Sequence, residues 1–184
     1  MIATDGISDE LKATDKFQRA YTDMMRNLSA PGFIDALCAH EAAHLVYYEM
    51  MGPVRYESLT PRLEYNPEKQ TFTGHYAAIM LTEEPLCEPH RLHEYVTMMA
   101  NVQVAGGVVA RKLLPNSSGG DEGDKVKFMR ICAELTAHFG GITIDVELVW
   151  KQAQDRVKRQ LEDDPHIMAT ILQRAIDLRP SFGF

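Results

Sequence analysis

The sequence ALCAHEAAHLVYYEMMG, residues 36–52, places two histidines and a glutamate inside an apolar run. On an α-helix, His40 and His44 are separated by about 40° around the axis and about 6 Å along it. Both imidazoles therefore leave the same face of the helix, where they can bind one metal ion. Together with Glu41 they form the His-Glu-x-x-His pattern, in which the glutamate is placed to accept a proton from a metal-activated water.

A chance match is the competing interpretation of this motif. A shuffled sequence of the same composition would contain the five-residue pattern only about two times in a hundred. The neighbouring residues Ala39, Ala42 and Ala43 predict a buried helix. Titratable side chains inside such a helix would be destabilising without a metal or hydrogen-bond partners, so the sequence favours a metal site.

A third ligand should be Asp, Glu or His from another element. Asp124 is the last residue of the glycine-rich segment PNSSGGDEGD, residues 115–124, and lies at the predicted start of a helix, although a plain helix N-cap explains an aspartate there as well. Asp121 and Glu122 are nearby alternatives. Glu134 would be the ligand in a thermolysin-type site, where a helical glutamate completes the set. Spacing alone leaves this choice open.

Composition and charge indicate a single globular domain over residues 1–184, with 45% hydrophobic and 24% charged residues. The net charge of -7, without a long basic run, argues against a nucleic-acid partner. Cys38, Cys87 and Cys132 are far apart and form no CxxC pair, which fits a reducing compartment. No signal-peptide pattern and no apolar run of about 18 residues is present, so we expect a cytoplasmic protein without a membrane segment.

Periodicity and turn signals predict a mainly helical α+β fold. A zincin-like HExxH helix should combine with a small β-sheet or hairpin and a C-terminal helical bundle. The long helix near the middle of the chain should be buried, and its Gly106-Gly107 pair should allow another element to approach closely. The predicted helices cover residues 8–28, 33–51, 88–114, 124–139, 145–162 and 165–178, and the strands lie within 54–60 and 71–80, separated by a turn-rich segment 61–70.

The motif HEAAHLVYYEMMG resembles the HEAGHA zinc motif of the FtsH family of ATP-dependent metalloproteases. The segment VRYESLTPRLEYNPEKQTFTGHY is similar to the strand pair that follows the zinc helix in that family. VQVAGGVVARKLL resembles its GGRAAE helix, SSGGDEGDKVKFM resembles its TTGAENDLERA loop and helix, and ITIDVELVWKQAQDRVKRQLED resembles its closing helix. The resemblance covers about residues 34–178, which is most of the chain.

This resemblance implies a zinc metallopeptidase core over residues 33–184, preceded by an N-terminal helical extension over residues 1–32. By position, it implies zinc bound by His40, His44 and Asp124, with Glu41 as the catalytic residue. A peptide or unfolded protein substrate would bind as an added strand along the edge strand. The substrate-binding positions would be Thr73, Gly74, His75 and Tyr76.

The chain also departs from the family pattern. Ala43 replaces the glycine of the motif, and no P-loop of the form GxxxxGK[ST] is present. A separate ATPase would therefore be needed to unfold folded substrates, and the rings formed by FtsH peptidase modules imply a homo-oligomer. The alternative hypothesis is a catalytically silent, zinc-binding module that acts as a binding or adaptor domain; the presence of Glu41 favours the enzyme.

Overall fold

The computed structural model describes residues 7–52, 54–58, 62–75, 78–81 and 89–182. The protein is mainly helical with two antiparallel strand pairs, which confirms the predicted α+β class. The elements are, in chain order, α1 (Asp9–Lys12), α2 (Asp15–Leu28), α3 (Phe33–Glu49), β1 (Val54–Ser58), β2 (Arg62–Asn66), β3 (Thr71–His75), β4 (Ala78–Leu81), a 3-10 turn (Pro89–Arg91), α4 (Leu92–Leu113), α5 (Glu122–Phe139), α6 (Val146–Asp163), α7 (Pro165–Leu178) and a final 3-10 turn (Arg179–Phe182).

Helix α4 forms the centre of the helical core, as its valine-rich sequence predicts. It packs against α3, α5 and α6, while α7 packs against α3 and α6. Small side chains on α3 and α4 allow the two helices to approach closely, and Ala39, Ala43 and Ala105 have no exposed surface. The motif helix α3 is therefore held by contacts with both α4 and α7.

The N-terminal segment forms two helices, where the sequence predicted one helix over residues 8–28. The break between α1 and α2 lies at Thr14, whose hydroxyl accepts a hydrogen bond from the backbone N–H of Phe17 and donates one to the carbonyl of Leu11. Ser8 caps α1 in the same way. Short hydroxyl side chains compete with helical backbone bonds, so Thr14 begins a new helix and does not continue the first.

The segment 61–70 was predicted as a turn, but its first half contains strand β2, so this prediction was too broad. The turn itself is confined to residues 66–70. There the Asn66 side chain accepts hydrogen bonds from the backbone N–H groups of Glu68 and Lys69, both at 3.0 Å. This Asx-type turn connects β2 directly to β3, so the two strands form a hairpin.

An aromatic cluster explains why β2 forms despite its turn-like composition. Tyr65 and Phe72 are cross-strand partners with ring centroids 5.3 Å apart. Phe17 of α2 contacts both rings edge-on, at 5.0 and 5.4 Å. Such pairs stabilise a strand pair through side-chain packing, which a search for turn residues does not detect.

Most helix boundaries agree with the predictions to within a few residues. Helix α7 covers residues 165–178 as expected, with Asp164 accepting a hydrogen bond from the backbone N–H of His166. Asp145 caps α6 similarly. Across the described part of the chain, no helix combines the length and hydrophobicity needed to cross a membrane.

The packing of α7 against α3 gives a first prediction. Ile171 is fully buried on α7, whereas Ile176 on the same helix is 63% exposed. We expect Ile171→Ala to lower the free energy of unfolding by about 2–5 kcal/mol, because it removes buried contacts and leaves a cavity. Ile176→Ala should change it by less than about 0.5 kcal/mol. Urea denaturation of both variants measures this, and equal losses would contradict the described packing.

Candidate metal centre

Three of the sequence-predicted site residues meet in one buried cluster. His40 and His44 lie on α3 with their Nε2 atoms 3.0 Å apart. Asp124, in the first turn of α5, places Oδ2 3.2 Å from each of these nitrogens. All three residues are at most 8% exposed. Among the described residues, this ligand cluster is the only group of three or more His, Cys, Asp or Glu residues arranged to share a metal ion.

Two backbone carbonyls fix the tautomers of the histidines. Nδ1 of His40 lies 3.0 Å from the carbonyl oxygen of Gly119, and Nδ1 of His44 lies 2.8 Å from that of Val102. A carbonyl oxygen can only accept, so both Nδ1 atoms must carry the proton and donate it. In the neutral imidazoles, both Nε2 atoms then present lone pairs to the centre of the cluster.

The Asp124 carboxylate completes a triangle of hydrogen-bond acceptors. Its Oδ2 is buried and has no hydrogen-bond donor, although it lies close to both imidazoles, because the nearest ring atoms are the lone-pair nitrogens. Three acceptors at 3.0–3.2 Å repel one another unless a cation joins them. Tetrahedral zinc with bonds of about 2.0–2.1 Å places its ligand atoms about 3.3 Å apart. The residues therefore fit a zinc ion.

The charges around the cluster also favour a positive charge at its centre, either a proton on an imidazole or a metal ion. Burial alone would raise the pKa of Asp124, but its interactions with His40 and His44 outweigh burial and hold that pKa well below its usual range. Burial likewise opposes protonation of His44, yet Asp124, Glu41 and the Val102 carbonyl together outweigh burial and raise the pKa of His44. Lys127 binds the other carboxylate oxygen, Oδ1, at 3.1 Å, which leaves Oδ2 directed at the imidazoles.

Glu41 lies beside the cluster and is not one of its members. Its Oε1 is 4.0 Å from Nε2 of His40, and its side chain is 14% exposed. The carboxylate is thus near the convergence point of the ligand atoms and retains contact with solvent. This is the placement that a general base requires, because a base must reach both the metal-bound region and an incoming water molecule.

Helix α4 passes the ligand cluster at Gly106. This is one of the two glycines that were predicted to allow close approach of another element. A Cβ atom at this position would lie 2.6 Å from Nε2 of His44 and 2.7 Å from Nε2 of His40. The sequence indicated a close approach at Gly106, but it did not identify α3 as the approaching helix. Val102, one turn earlier on α4, supplies the carbonyl that orients His44. Helix α4 therefore shapes the centre without supplying a ligand.

The other candidate ligands do not reach the cluster. Glu134 is exposed and pairs with Arg130 on the surface of α5. It lies ten residues after Asp124, which is about 15 Å along the helix. Glu122 is exposed, and Asp121 pairs with Arg111 at 2.9 Å. The N-cap interpretation of Asp124 is also wrong, because Asp121 occupies the cap position and Asp124 lies in the first turn.

The predicted substrate-binding residues fall on strand β3. Thr73, Gly74 and His75 pair with residues of β2, and Tyr76 lies outside the described residues. Strand β3 packs against α2, whereas β4 contacts the motif helix α3. A role of these four residues in substrate binding stays a prediction.

No protein-family model matches the chain, and neither does any curated protein or solved structure compared with it. The resemblance to the FtsH family therefore stays a prediction from the sequence. What the chain can do is inferred from the chemistry of the ligand cluster and its surroundings.

The close approach of α4 gives a second prediction. We expect Gly106→Ala to disrupt zinc binding, because the added methyl group would overlap both imidazoles and force α3 and α4 apart. Gly123→Ala is the matched control, since a Cβ there meets no atom within 4 Å. Zinc content of the purified variants, measured by elemental analysis, should fall for Gly106→Ala and be retained by Gly123→Ala. Full zinc content in Gly106→Ala would be inconsistent with this arrangement.

Proposed function

We propose that the protein is a zinc-dependent metallopeptidase that hydrolyses peptide bonds of unfolded or extended polypeptides. One observation carries this proposal: three lone-pair atoms converge in a buried site, and a partly exposed carboxylate lies beside them. The first feature is suited to hold a metal ion. The second is suited to move a proton next to that ion.

The number and type of ligands support catalytic zinc. Two imidazole nitrogens and one carboxylate oxygen are donors that zinc accepts readily. Structural zinc sites commonly have four protein ligands, most of them cysteines, whereas catalytic sites have three and keep one position open. Among the described residues, the cluster of His40, His44 and Asp124 offers three and includes no cysteine.

When bound, zinc would supply a Lewis acid that acidifies water and polarises the scissile carbonyl. The chain itself supplies the proton transfers. Oε1 of Glu41 would accept the proton of the attacking water and then deliver it to the nitrogen of the leaving amine. Backbone carbonyls of Gly119 and Val102 keep the imidazoles in the ligating tautomer, and Lys127 keeps the carboxylate of Asp124 turned towards them.

The β2–β3 strand pair favours an extended peptide as the substrate. Strand β3 pairs with β2, and a peptide added along β3 would be held by backbone hydrogen bonds with little sequence selectivity. We propose that folded proteins become substrates only after they have been unfolded, for example by an ATPase, because only an extended backbone can add to β3 as a strand.

Zinc content tests the ligand set. We expect about one zinc per chain in the wild type, because three ligands converge on one point. Asp124→Asn should lose most of the metal, since the neutral amide oxygen is a weaker ligand than the carboxylate. Glu134→Gln, a matched carboxylate-to-amide change on the same helix, should retain it. Elemental analysis of the three proteins measures this, and a wild type that takes up no zinc even on incubation would refute the proposal.

Peptidase activity tests the role of Glu41. We expect Glu41→Gln to keep its zinc but to cleave a reduced, carboxymethylated protein about 10²–10⁴-fold more slowly, because it cannot accept a proton. Glu49→Gln is the control on the same helix, since Glu49 pairs with Arg174 away from the cluster. If Glu41→Gln cleaved as fast as the wild type, the mechanism would be wrong. A zinc-loaded wild type that cleaves no peptide would instead indicate the silent binding module.

A further inference from the structure

The side chain of Arg111, in the last turn of α4, contacts the loop between α4 and α5 at two points. Its Nη1 donates a hydrogen bond to the carbonyl of Ser118 at 3.1 Å, and its Nη2 donates to Oδ2 of Asp121 at 2.9 Å. The guanidinium therefore contacts both ends of the segment 118–121, referred to here as the ligand loop. Because the donors of a guanidinium are held in one plane, both contacts constrain the loop together.

The ligand loop is connected to two members of the ligand cluster, His40 and Asp124. The carbonyl of Gly119, inside the loop, accepts the Nδ1 proton of His40. Asp121, at the end of the loop, is the cap position of α5, and its carbonyl accepts a hydrogen bond from Lys125. Asp124 follows three residues later in the first turn of that helix. A displacement of the loop would thus move the orienting group of His40 and the backbone that carries Asp124.

The loop has a backbone that requires an external restraint. Gly119 and Gly120 both adopt left-handed conformations, with φ of 79° and 73°. Consecutive glycines are conformationally free in the absence of contacts, so this arrangement loses much entropy on ordering. Helix α4 provides the restraint with two residues one turn apart. A Cβ at Gly107 would lie 2.7 Å from Oδ2 of Asp121, so this glycine makes room for the carboxylate that Arg111 binds.

We propose that Arg111 is a positioning residue for the metal centre, acting through the ligand loop; this inference rests on the zinc site of the proposed function. The Arg111–Asp121 ion pair and the bond to Ser118 hold the Gly119 carbonyl against His40 and set the start of α5, so that Asp124 faces the imidazoles. In the described structure Arg111 itself bonds to the loop and to none of the three ligands. Removing it should lower metal affinity while every ligand remains present.

The test is the zinc affinity of metal-free protein, measured by competition with a chromophoric chelator. Arg111→Gln removes the charge and the planar pair of donors, and loss of an orienting group of this kind typically weakens metal binding about 10–100-fold. Arg130→Gln is the matched control, because Arg130 is 75% exposed and pairs only loosely with Glu134 on the same helix as Asp124. We expect Arg130→Gln to bind zinc within about twofold of the wild type.

Two further variants separate positioning from general stability. Asp121→Asn, which keeps the side-chain shape, should reproduce most of the loss. The double variant with Arg111→Gln should be little worse than the worse single variant, because both changes break the same Arg111–Asp121 ion pair. The zinc affinity of Arg111→Lys should lie between those of the wild type and Arg111→Gln, since lysine keeps the charge but lacks the planar pair of donors. Cobalt loaded in place of zinc should show an altered visible absorption band in Arg111→Gln, which reports the ligand geometry directly.

The outcomes distinguish this inference from the proposed function. A wild type that binds neither zinc nor cobalt would refute the metal site and the positioning role together. A wild type that binds zinc, with Arg111→Gln and Asp121→Asn binding equally well, would refute the positioning role alone. Reduced thermal stability of the metal-free variants with unchanged zinc affinity and an unchanged cobalt spectrum would show that Arg111 has a purely structural role, which also overturns the inference.

Discussion

The repulsion among three acceptor atoms in a buried site is the constraint on which the rest of this structure depends. Two imidazole nitrogens and a carboxylate oxygen lie within 3.2 Å of one another, away from solvent. Packing and hydrogen bonds from elsewhere in the fold must hold them there, because neither lone pairs nor desolvated charge favour such an arrangement. The helical core can be understood as the framework that supplies these restraints.

Each helix around the centre has a separate part in this framework. Helix α3 carries His40 and His44 of the cluster and α5 carries Asp124, while α4 supplies the space and the backbone carbonyl of Val102. Helix α7 packs against α3, and α6 packs against α4. Helix α4 contacts both α3 and α5. At Gly106 it has no side chain, and this leaves the space that the imidazoles of His40 and His44 occupy.

The strand region contacts helix α2 through aromatic side chains and not through the ligand cluster. The β2–β3 hairpin packs against α2 by an aromatic cluster of Phe17, Tyr65 and Phe72. The N-terminal segment thus contributes directly to the packing of the hairpin that carries the proposed substrate strand. This contact joins an element of residues 1–32 to an element of residues 33–184, so we expect the N-terminal helices to affect any peptide binding along β3.

The sequence by itself determined those features that depend on local periodicity. His40, Glu41 and His44 are placed on one helix by their spacing, and the capping residues Asp145 and Asp164 mark helix starts because they act within one turn. The tertiary structure alone decided what depends on distant segments meeting. Spacing could not separate Asp124 from Asp121, Glu122 and Glu134. The family resemblance implied Asp124, and the structure shows the physical reason, because α5 buries Asp124 beside the imidazoles. Strand β2 and the role of Gly106 likewise follow from contacts with partners that are far away in the chain, which no local pattern encodes.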